Sequence, residues 1–85
     1  MATRMAIVGS AVGLHARPAS LVANRAAEFD TDIFLSLDGE AAVDASSLMA
    51  VMALGAEKGA QVTVTSDSGE AVAAIADLIE RDLDA

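Results

Sequence analysis

The chain has 85 residues, 54% of them apolar, and a net charge of −8 from thirteen acids against five bases. That length makes one domain over residues 1–85 with a limited core. That charge argues against nucleic acid, which needs a basic footprint, and against an anionic membrane surface. No cysteine is present, so disulfides and thiolate metal sites are excluded and a reducing compartment fits. Neither a signal-peptide pattern nor an apolar run long enough to span a bilayer is found, so a cytoplasmic chain without membrane insertion is expected.

Residues 3–8 alternate as a strand, with Met5 and Ile7 on one side. A loop with two glycines, residues 9–14, follows. Residues 16–29 carry Leu21, Val22, Ala26 and Phe29 at helical spacing. Pro18 is tolerable there because its missing N–H falls in the first turn. Residues 32–37 alternate again, with Ile33, Leu35 and Leu37 on one face. Asp38-Gly39 is a hairpin-turn dipeptide, and residues 41–43 pair back as an edge strand.

Ser46 or Ser47 can cap a second, short helix running to about Leu54. Residues 55–59, bounded by glycines, end it. Val62 and Val64 alternate with Thr63 and Thr65, and the threonine face can meet water. Asp67 and Glu70, three apart, form an acidic version of a capping box. They open a last helix with Val72, Ile75, Ile79 and Leu83 inward. The order β-α-β-β-α-β-α predicts an α+β layer: a four-stranded antiparallel sheet, an open-faced sandwich, with three helices on one face.

The second helix is apolar nearly all round. At 3.6 residues per turn, Val51 and Leu54 share one side and enter the core. Leu48, Met49 and Met52 fall on another, as a patch for partners, methionine being adaptable at such surfaces. The plainer alternative sinks the whole helix in the core. The late acids Asp67, Glu70, Asp77, Glu80, Asp82 and Asp84 read as a solvated face. Arg17 and Arg25 on the first helix stand out as a small positive spot able to meet an acidic partner.

The chemistry concentrates in residues 13–19, Gly-Leu-His-Ala-Arg-Pro-Ala, which hold the only histidine and the only proline. His15 lies at a helix start, where backbone N–H groups lack intrahelical partners and attract anions. Neutral imidazole carries a lone pair that attacks phosphorus. The phosphorylated product would be anionic and would lie beside Arg17 and the free amides of Ala16 and Arg17. The dipole contributes only about 0.3–1 kcal/mol, which suits a group that must be passed on. One histidine makes no metal cluster, and the G-x-x-x-x-G-K-[ST] loop is missing. So no metal and no cofactor are expected. The chain reads as a phosphohistidine carrier, not an enzyme, that needs a donor protein and an acceptor protein.

Residues 13–19, together with a second signature at residues 47–55 (Ser-Leu-Met-Ala-Val-Met-Ala-Leu-Gly), resemble the HPr family, the histidine-containing phosphocarriers of the phosphoenolpyruvate-dependent sugar phosphotransferase system. The resemblance spans the chain. It implies that His15 accepts phosphate on Nδ1 from phospho-enzyme I and gives it to IIA components of sugar permeases. It implies that Arg17 steadies the phosphate, and that Leu48, Met49 and Met52 dock both partners in turn on a monomer. Ser47 aligns with a serine that an ATP-dependent kinase modifies in some members; the alternative is a simple helix cap. The sequence departs from the common pattern at Ser46, where a basic residue is frequent, at one residue added in the preceding turn, and at Val12, where a polar residue is common.

Two other readings are weighed. A paralogous chain of regulatory, nitrogen-type phosphotransfer would carry the same site. An acyl-carrier-like protein modified on Ser46 or Ser47 would need Asp-Ser-Leu and an all-helical fold, and the strand at residues 62–65 speaks against it. The identity of the sugar is not written in the chain, because the carrier is shared among permeases.

Overall fold

A computed structural model describes residues 1–11, 13–37 and 40–81. The elements are β1 (Ala2–Ile7), α1 (Ala16–Ala27), β2 (Ile33–Leu37), β3 (Val43–Asp44), α2 (Leu48–Ala53), β4 (Gln61–Ser66) and α3 (Gly69–Glu80). The expected element order is therefore the observed one, with strand ends moved by a residue or two. The edge strand is centred one residue later than expected. The hairpin dipeptide Asp38-Gly39 and the inward Leu83 lie outside the described residues, as do Asp82 and Asp84.

The sheet runs β1-β4-β2-β3, every pair antiparallel. β4 is central because its two valines serve both neighbours. Val62 lies opposite Ala6 and Leu37, and Val64 opposite Leu35. That parity faces the helices: Ala6, Ile33, Leu35, Val62 and Val64 are all buried. They meet α3 through Val72, Ile75 and Ile79, and α1 through Val22 and Ala26. α3 packs on β1 and β4, while α2 packs between α1 and β3. Burying one Val or Ile side chain contributes about 1.5–3 kcal/mol, so the alternation of β2 and β4 decides which face receives the helices.

The side that Met5 and Ile7 share is the outer one. Both stay exposed, at 54% and 44%, while Ala6 and Val8 are buried. Alternation in β1 permits either parity, and pairing with β4 selects one. Met5 lies opposite Thr63 and Ile7 opposite Gln61, on the face away from the helices. A one-residue slip would exchange the two sets. On α1 the inward residues are Pro18, Ala19, Val22, Ala23 and Ala26, whereas Leu21 is exposed. Phe29 lies past the end of the helix and packs partly against the core.

Two serines cap helices. The Ser47 hydroxyl accepts from the Ala50 N–H at 3.2 Å, which settles the choice between Ser46 and Ser47. Ser46 instead donates its N–H and hydroxyl to the Asp44 carboxylate, at 2.9 and 2.7 Å. The backbone N–H and then the hydroxyl of Ser46 hold the Asp44 carboxyl below the usual carboxylate range, against a small opposing effect of burial. At α3 the cap is Ser68, which accepts from the Ala71 N–H. Asp67 therefore precedes the cap, and Glu70 falls at the second helical position. The acidic capping box is corrected to a serine cap with one acid in its first turn.

Candidate functional site

The loop that carries His15 is held at three places. The Val8 N–H donates to the Ala60 carbonyl, and the Gly59 N–H returns to the Val8 carbonyl, at 3.0 and 2.9 Å. The Gly9 N–H donates to Ile79 at the end of α3, at 3.1 Å. The Leu14 N–H donates to the Ala56 carbonyl at 2.8 Å, and the Leu14 side chain is buried. Gly13 takes φ = 72°, and the Ala56–Glu57 backbone occupies the space where a Cβ would stand. A side chain there would meet both the left-handed penalty and that backbone.

This bracing presents His15 as the N-cap residue of α1. Its backbone is extended (φ −96°, ψ −171°), and its carbonyl accepts the Ala19 N–H at 2.8 Å. The imidazole makes no capping hydrogen bond and is exposed. A residue in this position normally caps with its side chain; here the ring is left available. Pro18 is the third helical residue and has no N–H. The unsatisfied amides of the first turn are thus those of Ala16 and Arg17, beside the ring. Imidazole nitrogen, two amides and a guanidinium at one helix start form an arrangement suited to a covalently attached anion.

Arg17 is exposed and has no ion pair among the described residues. Arg25 differs. Its guanidinium bonds Glu28 at 3.2 Å and lies 4.8 Å from the centre of the Phe29 ring. The positive spot expected from Arg17 and Arg25 is corrected: Arg25 is held by an acid one helical turn on, as i,i+3 spacing allows.

α2 divides as its spacing implied. Val51 and Leu54 are buried, while Leu48 and Met49 are exposed, at 40% and 76%. Met52 is intermediate and packs partly on the core. So the outward patch is Leu48 and Met49, with Met52 at its edge. Its site is continuous along the chain with Gly55 and Ala56, the residue that holds Leu14. The brace at residues 56–59 was not apparent from the sequence. Its only trace there is the glycine spacing, Gly55 and Gly59 against Gly9 and Gly13. Val12 lies outside the described residues. Among the described residues no three His, Cys, Asp or Glu side chains gather to hold a metal, and no helix is long and apolar enough to cross a membrane.

A family model described as the PTS HPr component phosphorylation site matches residues 2–81. The phosphocarrier protein HPr from Bacillus anthracis str. Ames superposes with a TM-score of 0.84 at 34% identity, covering 92% of this chain and 95% of its own. HPr-C-His from Thermoanaerobacter tengcongensis gives 0.85 at 35% identity, over 94% and 92%. Crh, the catabolite repression containing protein of Bacillus subtilis, described as a swapped dimer, gives 0.71 at 34% identity, over 94% of each chain. With a family model spanning nearly the whole chain and the same fold in these relatives, the chain belongs to the HPr family of phosphocarrier proteins of the phosphotransferase system.

Proposed function

We propose that His15 accepts a phosphoryl group on Nδ1 from phospho-enzyme I and passes it to IIA components of sugar permeases. The observation that carries this reading is the exposed N-cap imidazole that does not cap its own helix. In the step, the Nδ1 lone pair attacks phosphorus. A P–N bond forms on His15 while the bond to the donor breaks, and its electron pair leaves with the donor. The Ala16 and Arg17 amides and the Arg17 guanidinium meet the phosphoryl oxygens. The chain then acts in the reverse sense toward the acceptor, through the same atoms. Such donors lower the barrier to the extent that they hold the phosphoryl oxygens more tightly in the transition state than before it.

Leu48, Met49 and Met52 serve as the apolar contact for donor and acceptor in turn. Ser47 works for the fold as a cap. A phosphate placed there by a serine kinase would add about −1.5 to −2 charges beside Leu48 and hinder an acidic partner. Incubation with enzyme I and phosphoenolpyruvate should add acid-labile phosphate to the wild-type chain and none to His15→Ala. A wild-type chain that takes no label overturns the reading.

A regulatory phosphotransfer chain is the second reading, favoured by the likeness to Crh, a protein named for catabolite repression. Complementation of sugar uptake in a strain that lacks its carrier separates the two. Restored uptake supports the sugar chain, and labelling without restored uptake supports the regulatory one.

A further inference from the structure

The chain has no cysteine, tryptophan or tyrosine, so its four methionines hold its only sulfur atoms and are the side chains most open to mild oxidation. The fold gives those four sulfurs different settings. Met1 precedes β1, and Met5 stands opposite Thr63 on the outer face of the sheet. Both are exposed. Met52 is half-buried and packs on the core. Met49, at 76% exposure, is the one methionine that is both open to solvent and on the outward side of α2, beside Leu48.

A thioether and its sulfoxide differ in one property that matters at such a place. The thioether is apolar and adapts to whatever packs on it. The sulfoxide oxygen is a strong acceptor that must keep water or find a donor. In the free chain Met49 leaves that oxygen in water, so oxidation there does not disturb the core. Under an apolar partner surface the same oxygen would be buried without a donor, which is costly. At Met52 the acceptor would be set against the core instead, and at Met1 or Met5 it would lie off α2. Only at Met49 is the fold indifferent to the oxygen while docking is not.

We propose that Met49 is a redox-sensitive modification site, at which a hydroperoxide turns the thioether into a sulfoxide and so weakens docking of the partner proteins. The inference rests on the docking role given above to Leu48 and Met49 and adds to it a means of regulation. In the step, a sulfur lone pair attacks one peroxide oxygen. An S–O bond forms, the O–O bond breaks, and the second oxygen leaves as water with the proton of the first. Sulfur loses two electrons and the peroxide gains them. Two thiols of a reductant reverse the change, giving one disulfide and one water, so the modification is reversible. The His15 imidazole takes no part, and its transfer chemistry is untouched.

The test treats wild type, Met5→Leu and Met49→Leu with hydrogen peroxide, removes the peroxide, and measures labelling by enzyme I and phosphoenolpyruvate. Peptide masses should show one added oxygen on Met49 of the wild type, with the far-ultraviolet circular dichroism unchanged. The KM should then rise about fivefold with kcat held, as expected for an apolar contact made polar. A methionine sulfoxide reductase with a dithiol should restore the untreated KM. Met5→Leu should show the same rise. Met49→Leu should have one KM before and after treatment, whatever its starting value, leucine being close to methionine in volume but without sulfur. An unchanged KM in wild type with Met49 oxidised overturns the proposal and leaves the phosphocarrier reading standing. So does an equal rise in Met49→Leu, a loss carried by kcat or by unfolding, or a Met49 that stays reduced while Met1 and Met5 gain oxygen. An untreated wild-type chain that takes no label overturns both.

Discussion

Replacing Gly13 and Gly55 by alanine, one at a time, separates backbone strain from steric contact at the His15 loop. Both glycines lie in the left-handed region, at φ 72° and 67°. Around Gly55 there is nothing within 4 Å of an added Cβ, whereas at Gly13 that carbon would lie 2.4 Å from the Ala56 oxygen and 2.9 Å from the Glu57 Cα. Alanine in this region costs about 1–2 kcal/mol. Loss of backbone freedom in the unfolded chain offsets about 0.4–1 kcal/mol of that. Gly55→Ala should therefore cost about 1 kcal/mol.

At Gly13 the loop must also move away by about 1 Å to bring the Cβ–oxygen distance from 2.4 Å to ordinary contact at 3.4 Å. The Leu14 to Ala56 hydrogen bond, now 2.8 Å, would stretch past the useful range. A buried donor left unpaired costs about 1–3 kcal/mol. Gly13→Ala should then cost about 2–4 kcal/mol, a large part of the roughly 4–13 kcal/mol typical of a domain this size. With no Trp or Tyr in the chain, far-ultraviolet circular dichroism in urea is the assay. At a slope of about 1 kcal/mol per molar, the two midpoints should differ by roughly 1–3 M. Equal midpoints would refute the claim that residues 56–57 brace the His15 loop.

Two further expectations follow from the same geometry. Met49→Asp should leave stability within about 0.5 kcal/mol, because the side chain is 76% exposed, and should raise the KM for enzyme I about tenfold with kcat held; a lower kcat at unchanged KM would remove Met49 from the docking surface. Ser46→Ala should cost about 0.5–1 kcal/mol at pH 7, the small value reflecting exposure of the pair. Asp44 titrates lower in the folded chain than in the unfolded one, so the stability it adds is complete above the ordinary aspartate range of about 4 and is lost as pH falls through the lowered value. The gap between wild type and Ser46→Ala should thus close in strong acid, and urea melts in which it persists below pH 2 would refute the assignment.

Much of the molecule is legible from local rules. The alternation of Ile33, Leu35 and Leu37, and of Val62 and Val64, marks two strands and their buried face, because a pleated strand has a strict period of two. Pro18 and His15 mark the start of α1, because an N-terminal turn tolerates a missing N–H. The split of α2 into Val51 and Leu54 inside and Leu48 and Met49 outside follows from 3.6 residues per turn. Local rules fail where several residues compete for one role. Asp67 and Glu70 have the spacing of a capping box, yet the cap of α3 is Ser68, whose hydroxyl accepts the Ala71 N–H. Met5 and Ile7 outweigh Ala6 in hydrophobicity, yet the register with β4 turns them outward.

What the sequence by itself determined is therefore the chemistry: one histidine at a helix start, an arginine two residues on, and an apolar short helix to meet partners. Those properties belong to residues close together in the chain, where covalent geometry and helical spacing decide the outcome. Only the tertiary structure decided what surrounds them. It fills the space beside the Gly13 Cα with the Ala56–Glu57 backbone, and it ties the Leu14 N–H to the Ala56 carbonyl. These are contacts between segments some forty residues apart, formed because burial of Leu14, Val51 and the β4 valines in one core forces their loops together. No local pattern encodes such a contact, since its free energy exists only once the core has closed.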